Sequence, residues 1–196
     1  MGGPLYRRFR WPHLLLIPLL LLAALALREC GDARLQSGAV TEGNTVYEIS
    51  EQDGLYTLRL YNQRGRTVWS YGPADRYPQV EETEPGLWSV SVQAGTGLST
   101  RWTLFYAAEE GKLSTPEYSV FDCRDGKMVF AGDRALIVRE IFDDASAVEL
   151  RDFSQPPASV AEPFVEARFT EDGTALTVTY LSGEDFHRVT ETLPLP

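Results

Sequence analysis

The sequence predicts an all-β body behind one N-terminal apolar helix, and three observations predict it. From Val46 onward, apolar and polar residues alternate with period two almost everywhere, as in strands whose successive side chains point to opposite faces of a sheet. Short glycine-bearing turns separate these stretches, and nothing after residue 45 sustains a helical period. Ahead of them an unbroken apolar run, Leu14 to Leu27, follows Arg7, Arg8 and Arg10, the layout of an export signal or a membrane anchor.

Residues 1–30 are therefore read as signal peptide or anchor, 31–45 as a stalk, and 46–196 as the extracytoplasmic domain. Small residues at Ala24 and Ala26 suit cleavage after Ala26. Lipoprotein processing at Cys30 is rejected, because Arg28 and Glu29 stand where a small residue is needed. An uncleaved anchor uses Trp11 to Leu27, the short end of what spans a bilayer, and the abrupt Arg28–Glu29 boundary favours it. In either case the arginines predict the N-terminus inside and the body outside. The expected location is the cell membrane, single-pass, or secretion.

The body is strongly acidic. Of 18 basic and 28 acidic residues, Arg7, Arg8, Arg10, Arg28 and Glu29 precede Cys30, leaving 14 basic, 27 acidic and a net charge of −13. Such a surface repels phosphate backbones and anionic lipid, so no nucleic-acid partner is expected and membrane contact runs through the N-terminal segment. Two cysteines, Cys30 and Cys123, are too few for a disulfide framework or a zinc site. An oxidising compartment would allow one bridge, but Cys30 sits in the stalk and two free thiols are expected.

Element by element, Tyr56, Leu58 and Leu60 share one strand face, and Trp88, Val90 and Val92 another. Val165, Ala167 and Phe169 form a third, and Leu176, Val178 and Tyr180 a fourth. Asp143 to Val148 allows one helical turn at most. The turns centre on Gly65, Gly111, Gly126 and Gly173, where tight hairpins call for a left-handed residue. Gly65 to Gly111 is 46 residues and Gly126 to Gly173 is 47, a recurrence that suggests propeller-like blades. The stretch Phe169-Thr170-Glu171-Asp172-Gly173-Thr174-Ala175-Leu176-Thr177-Val178 resembles the strand–turn–strand of a bacterial β-propeller blade, and Leu60 to Trp69 and Val120 to Phe130 follow it loosely. The body also resembles uncharacterised exported proteins of Gram-positive bacteria. About a dozen strands, or some three blades, are expected, whereas closed propellers usually need four or more. The fold class is thus an antiparallel meander of short hairpins, as a partial propeller-like blade array or a β-sandwich.

No motif supplies a catalytic set. His187, the one histidine of the body, shares parity with Val189 and Leu193 and reads as a satisfied histidine at a strand start. No Gly-x-Ser-x-Gly elbow occurs. Glu81, Glu82 and Glu84, Asp143–Asp144 and Glu184–Asp185 read as solvated turns, and Gly95-Thr96-Gly97 as a hairpin turn without the helix a phosphate cradle needs. Trp88 and Trp102 are expected in the core. Trp69 and Tyr71, on the face opposite Val68, and Tyr77 in the following loop form the candidate binding surface, since flat rings stack on sugars or anchor peptides. They serve equally as a buried layer. The expected function is non-catalytic protein or glycan binding without a cofactor or metal; an exported hydrolase using acidic residues is the alternative.

Overall fold

The computed structural model describes residues 34–37, 40–41, 44–93, 95 and 101–196. The apolar run, its arginines and Cys30 lie outside them, so the N-terminal readings do too. The chain divides after Arg34, and apart from Arg34 at the start of the first strand the described β-structure belongs to the second unit, Leu35–Pro196. Among the described residues, no helix is long and apolar enough to cross a membrane.

The described body is all-β and antiparallel. Its strands are β1 (Arg34–Ser37), β2 (Val40–Thr41), β3 (Asn44–Thr45), β4 (Tyr47–Gln52), β5 (Leu55–Tyr61), β6 (Thr67–Ala74), β7 (Gln79–Glu84), β8 (Leu87–Gln93), β9 (Arg101–Ala107), β10 (Lys112–Leu113), β11 (Glu117–Tyr118), β12 (Val120–Arg124), β13 (Lys127–Ala131), β14 (Leu136–Glu140), β15 (Val148–Leu150), β16 (Phe164–Phe169), β17 (Ala175–Ser182) and β18 (His187–Pro194). They form four successive sheets in the orders β1-β4-β5-β6, β7-β8-β9-β10, β12-β13-β14-β15 and β16-β17-β18; β11 also pairs with β9, and β2 with β3. The dozen strands expected become eighteen, of which five are only two or three residues long and carry too few side chains to show a period. For the same reason β1 to β3 fall in the segment read as an aperiodic stalk. The expected single helical turn is a 3₁₀ turn at Asp144–Ser146, started by Asp143, whose side chain accepts the Ala145 N–H.

The paired glycines mark equivalent hairpins of neighbouring sheets. Gly65 and Gly111 close the hairpins β5–β6 and β9–β10, and Gly126 and Gly173 close β12–β13 and β16–β17. All four have positive φ, which favours glycine.

Each sheet stacks on the next. Leu58 and Leu60 of the first sheet meet Val90, Val92, Leu104 and Tyr106 of the second. Leu87 and Phe105 meet Met128, Phe130 and Ile141 of the third. Val129, Leu136 and Val138 meet Phe164, Phe169, Val178 and Tyr180 of the fourth. The two middle sheets thus bury apolar residues on both faces, which explains why β8 is buried along most of its length. The end sheets keep polar outer faces. On the first, Glu48 pairs with Arg59 at 3.2 Å and Arg59 lies opposite Ser70. On the fourth, Thr177 lies opposite Thr192 and Thr179 opposite Thr190.

Three of the five register shifts bear on the predicted faces and the sites. In β6 the register slips at Val68, so Val68 packs on the same core as Trp69 and Tyr71 rather than on the opposite face. In β12 it slips at Phe121, and in β16 at Val165. The last corrects the predicted strand face: Phe164, not Val165, joins Ala167 and Phe169 in the core, while Val165 is exposed. An extra residue on one strand shifts every side chain beyond it by one face.

Candidate functional site

Two cavities open where the second, third and fourth sheets meet. The face of the second sheet turned toward the third carries the register rows Glu81–Ser89–Phe105 and Gln79–Ser91–Thr103, with Arg101 beyond. Phe105 closes one end apolar. At the other end the polar side chains hold the sheets apart around a cleft of about 370 Å³, lined also by Glu82, Thr83, Asp122 and Cys123. The hydroxyls of Ser91 and Thr103 share a buried hydrogen bond of 2.8 Å, and the Arg101 guanidinium donates to Gln79 Oε1 at 2.9 Å.

Cys123 reaches this cleft because the bulge at Phe121 puts Val120 and Cys123 on one face, three positions apart. Its thiol is free. Burial pushes the thiol pKa up; a hydrogen bond with Thr83 opposes this, and the charges of Asp122, Glu84 and Glu81 add to it. The sulfur is therefore held as thiol, the unreactive form. Asp122 is committed to the fold: Oδ1 accepts the Cys123 N–H and Oδ2 the Phe169 N–H, both at 2.9 Å, tying β12 to β16.

The second cavity, about 320 Å³, is mostly apolar and is shared by the β11–β12 corner and the start of β16. Arg101, Val120 and Phe121 line both cavities. Tyr118 is 55% exposed at the rim, and Val165 is exposed as well. Ser119, between Tyr118 and Val120, has φ 52, a region side-chain-bearing residues seldom adopt. Hydrogen bonds hold it there: its N–H donates to the Arg101 carbonyl at 3.1 Å, and its carbonyl accepts the Ala131 N–H at 3.2 Å. Two bulges and a left-handed serine thus turn Tyr118 and Val165 outward along the edges of adjacent sheets. Period-two reasoning missed this site, since a bulge leaves no mark in an alternation pattern.

The residues predicted as a binding surface are only partly brought together. Trp69 and Tyr71 lie side by side, ring centroids 6.4 Å apart and nearly parallel, and Trp102 stands edge-on to both at 6.1 and 5.7 Å. All three are half-buried against the core between the first two sheets. Trp102, expected in the core, is its half-buried margin, whereas Trp88 is fully inside. Tyr77 packs edge-on to Tyr56 instead, at 5.2 Å. Burial raises its phenol pKa, and Tyr47 and Tyr56 add to the rise.

His187 is exposed, with Nδ1 2.8 Å from Asp185 Oδ1 and Nε2 2.9 Å from Gln155 Oε1, a histidine satisfied at both nitrogens. Glu191 shares the inward parity of Val189 and Leu193. Burial works to raise its pKa, but hydrogen bonds from Tyr180 and from Ser154 outweigh that and lower it. Among the described residues, no group of three or more His, Cys, Asp or Glu side chains has the geometry to hold a metal ion.

No family model and no curated protein matches the chain. Among solved structures it is similar to a computationally designed protein, Ika4, at 10% identity and a TM-score of 0.37, with 83% of this chain and 93% of that one covered. It is also similar to Hsv2 of Kluyveromyces lactis, at 11% identity and a TM-score of 0.26, with 82% and 72% covered.

Proposed function

We propose that this chain is an exported, non-catalytic β domain that binds a protein or a glycan, held at the membrane by residues 1–30 or released from it. The body is an open array of four propeller-like blades. Supporting the array are the face-to-face stacking of successive meanders and the polar end faces, which suit water better than a fifth sheet. The observation that carries the binding reading is the apolar groove rimmed by Tyr118 and Val165. A rigid concave site with exposed aromatic and apolar anchors is what recognition uses, and bulges cluster where a side chain is re-aimed for function. We place the contact surface there rather than at Trp69, Tyr71 and Tyr77, because the first two rings are engaged with Trp102 and the core.

The test is binding of the full chain, in lipid nanodiscs, to a glycan array and a displayed peptide library, compared with a Tyr118→Ser/Val165→Ser double variant. Loss of the same ligands at unchanged melting temperature supports the reading; retention of every ligand defeats it. Location is checked with a C-terminal tag in fractionated cells: a tag accessible to external protease is expected, and one protected in the cytosol overturns export.

The hydrolase alternative draws on Glu81, Glu82 and Asp122, which line one polar cleft from facing sheets. Against it, both Asp122 oxygens are taken by backbone N–H groups. Turnover of glycoside or ester substrates, lost in Glu81→Gln, would establish it.

A further inference from the structure

Resting on the binding reading above, we infer that the apolar groove takes a peptide C-terminus, with the α-carboxylate on Arg101 and a bulky apolar last side chain among Tyr118, Phe121 and Val165. Two features single out a carboxylate. Arg101 lines the groove with no carboxylate within ion-pairing distance among the described residues, and its guanidinium donates to the neutral Gln79 amide. In a chain of net charge −10 a cation beside an apolar cavity is a specific attraction for an anion. Glu81 and Glu82 in the adjoining cleft disfavour a multiply charged ligand such as a phosphate, and leave a single carboxylate as the fitting partner.

The shape selects a chain end. A cavity of about 320 Å³ lies at the low end of small-ligand sites, ~300–1,000 Å³, room for one large side chain and its carboxylate. The groove opens between β12 and β16, each the edge strand of its sheet. Edge strands offer unpaired backbone groups to the residues that precede a captured terminus. The anchor is held rigidly: the Arg101 carbonyl is bonded to Ser119 N–H, so the cation and the Tyr118 ring hang from neighbouring points of one fixed corner, which limits the ordering cost of binding.

The experiment uses the full chain in lipid nanodiscs and two pools of acetylated hexapeptides ending in leucine, randomised at the first five positions, one as free acids and one as C-terminal amides. The free-acid pool should be retained at least about tenfold better. Arg101→Gln should bring that ratio close to one and Arg101→Lys should restore part of it, both at unchanged melting temperature, while Tyr118→Ser weakens retention of the free acids. Equal retention of acids and amides overturns the inference, as does a ratio insensitive to Arg101→Gln. Full displacement of the peptides by equimolar isocaproate also overturns it, since the site would then be one for small acids. If neither pool binds but a ligand from the glycan array depends on Tyr118, the terminus inference falls and the binding reading stands. If nothing tested depends on Tyr118 or Val165, both fall.

Discussion

Gly72 shows how much one position can decide. Its φ is +100, and a Cβ built there runs into the carbonyl oxygen of Tyr56 on the neighbouring strand. Gly72→Ala therefore forces the two strands apart in addition to adopting a disfavoured φ, and should cost about 2–4 kcal/mol, read as a shifted denaturation midpoint. Gly65→Ala is a matched control, since its Cβ would meet open space and only the φ cost of about 1 kcal/mol remains. Arg139 is the second such residue. Its side chain is 2% exposed, lies 5.8 Å from the Phe130 ring centre, and pairs with Glu117 at 3.0 Å and Asp144 at 2.6 Å. The pairs join the edge strand β11 of the second sheet to the third. Arg139→Ala leaves a cavity and an unpaired carboxylate, and about 3 kcal/mol of destabilisation is expected; Arg139→Met, which keeps the packing, should cost less. At Asp172, hydrogen bonds from the Thr170 hydroxyl and from the Thr174 N–H and hydroxyl pull the pKa from 3.8 down to about 2. A depressed carboxyl pKa gives stability that is present above the unfolded value and lost as pH falls through the folded one. Asp172→Asn should therefore flatten the acid limb of the stability curve between 3.8 and about 2, measured by denaturant titration across pH. An unchanged limb would remove Asp172 from the account.

Among the elements, β6 and β9 carry the aromatic margin of the first core, and the rings there test whether aromatics in a strand pack or bind. Replacing Trp69 and Tyr71 by Ala removes two half-buried rings that touch Trp102, at about 2 kcal/mol each, below the ~3–5 kcal/mol of fully buried rings. Tyr118→Ser, at an exposed position, should stay within about 0.5 kcal/mol. Thermal melts of both variants separate the roles: a Trp69/Tyr71 variant as stable as the parent would return those rings to the list of binding candidates. The period-two pattern located most of these strands because each has one face against a core. It placed Val68 and Val165 on the wrong faces, since the extra residue of a bulge is visible only when the partner strand is aligned beside it.

On the scale of the whole molecule, the outward faces of the first and fourth sheets are polar. The Thr179 and Thr190 hydroxyls bond to each other at 2.9 Å, and Thr177 lies opposite Thr192. Converting Thr177, Thr190 and Thr192 to Val makes that face resemble the buried face of a middle sheet. The variant should fold but associate through this face, as light scattering would show. A monomeric variant at high concentration would mean that sheet geometry, not polarity, keeps this face from associating.

The sequence by itself determined the all-β class, the hairpin glycines with their left-handed backbone and the short turn near Asp144, because strand alternation and turn chemistry are local. Its reading of His187 as satisfied matches the contacts to Asp185 and Gln155, but the parity that pointed the ring at the core is overruled, since the ring is exposed. Tertiary structure alone decided that Ser119 is left-handed, that bulges at Phe121 and Val165 open a groove, and that Arg101 lies on that groove without a carboxylate partner among the described residues. Those features arise where separate sheets meet. Residues such as Arg101 and Val165, 64 positions apart in the chain, become neighbours in one cavity only through the stacking of sheets, for which no local pattern codes.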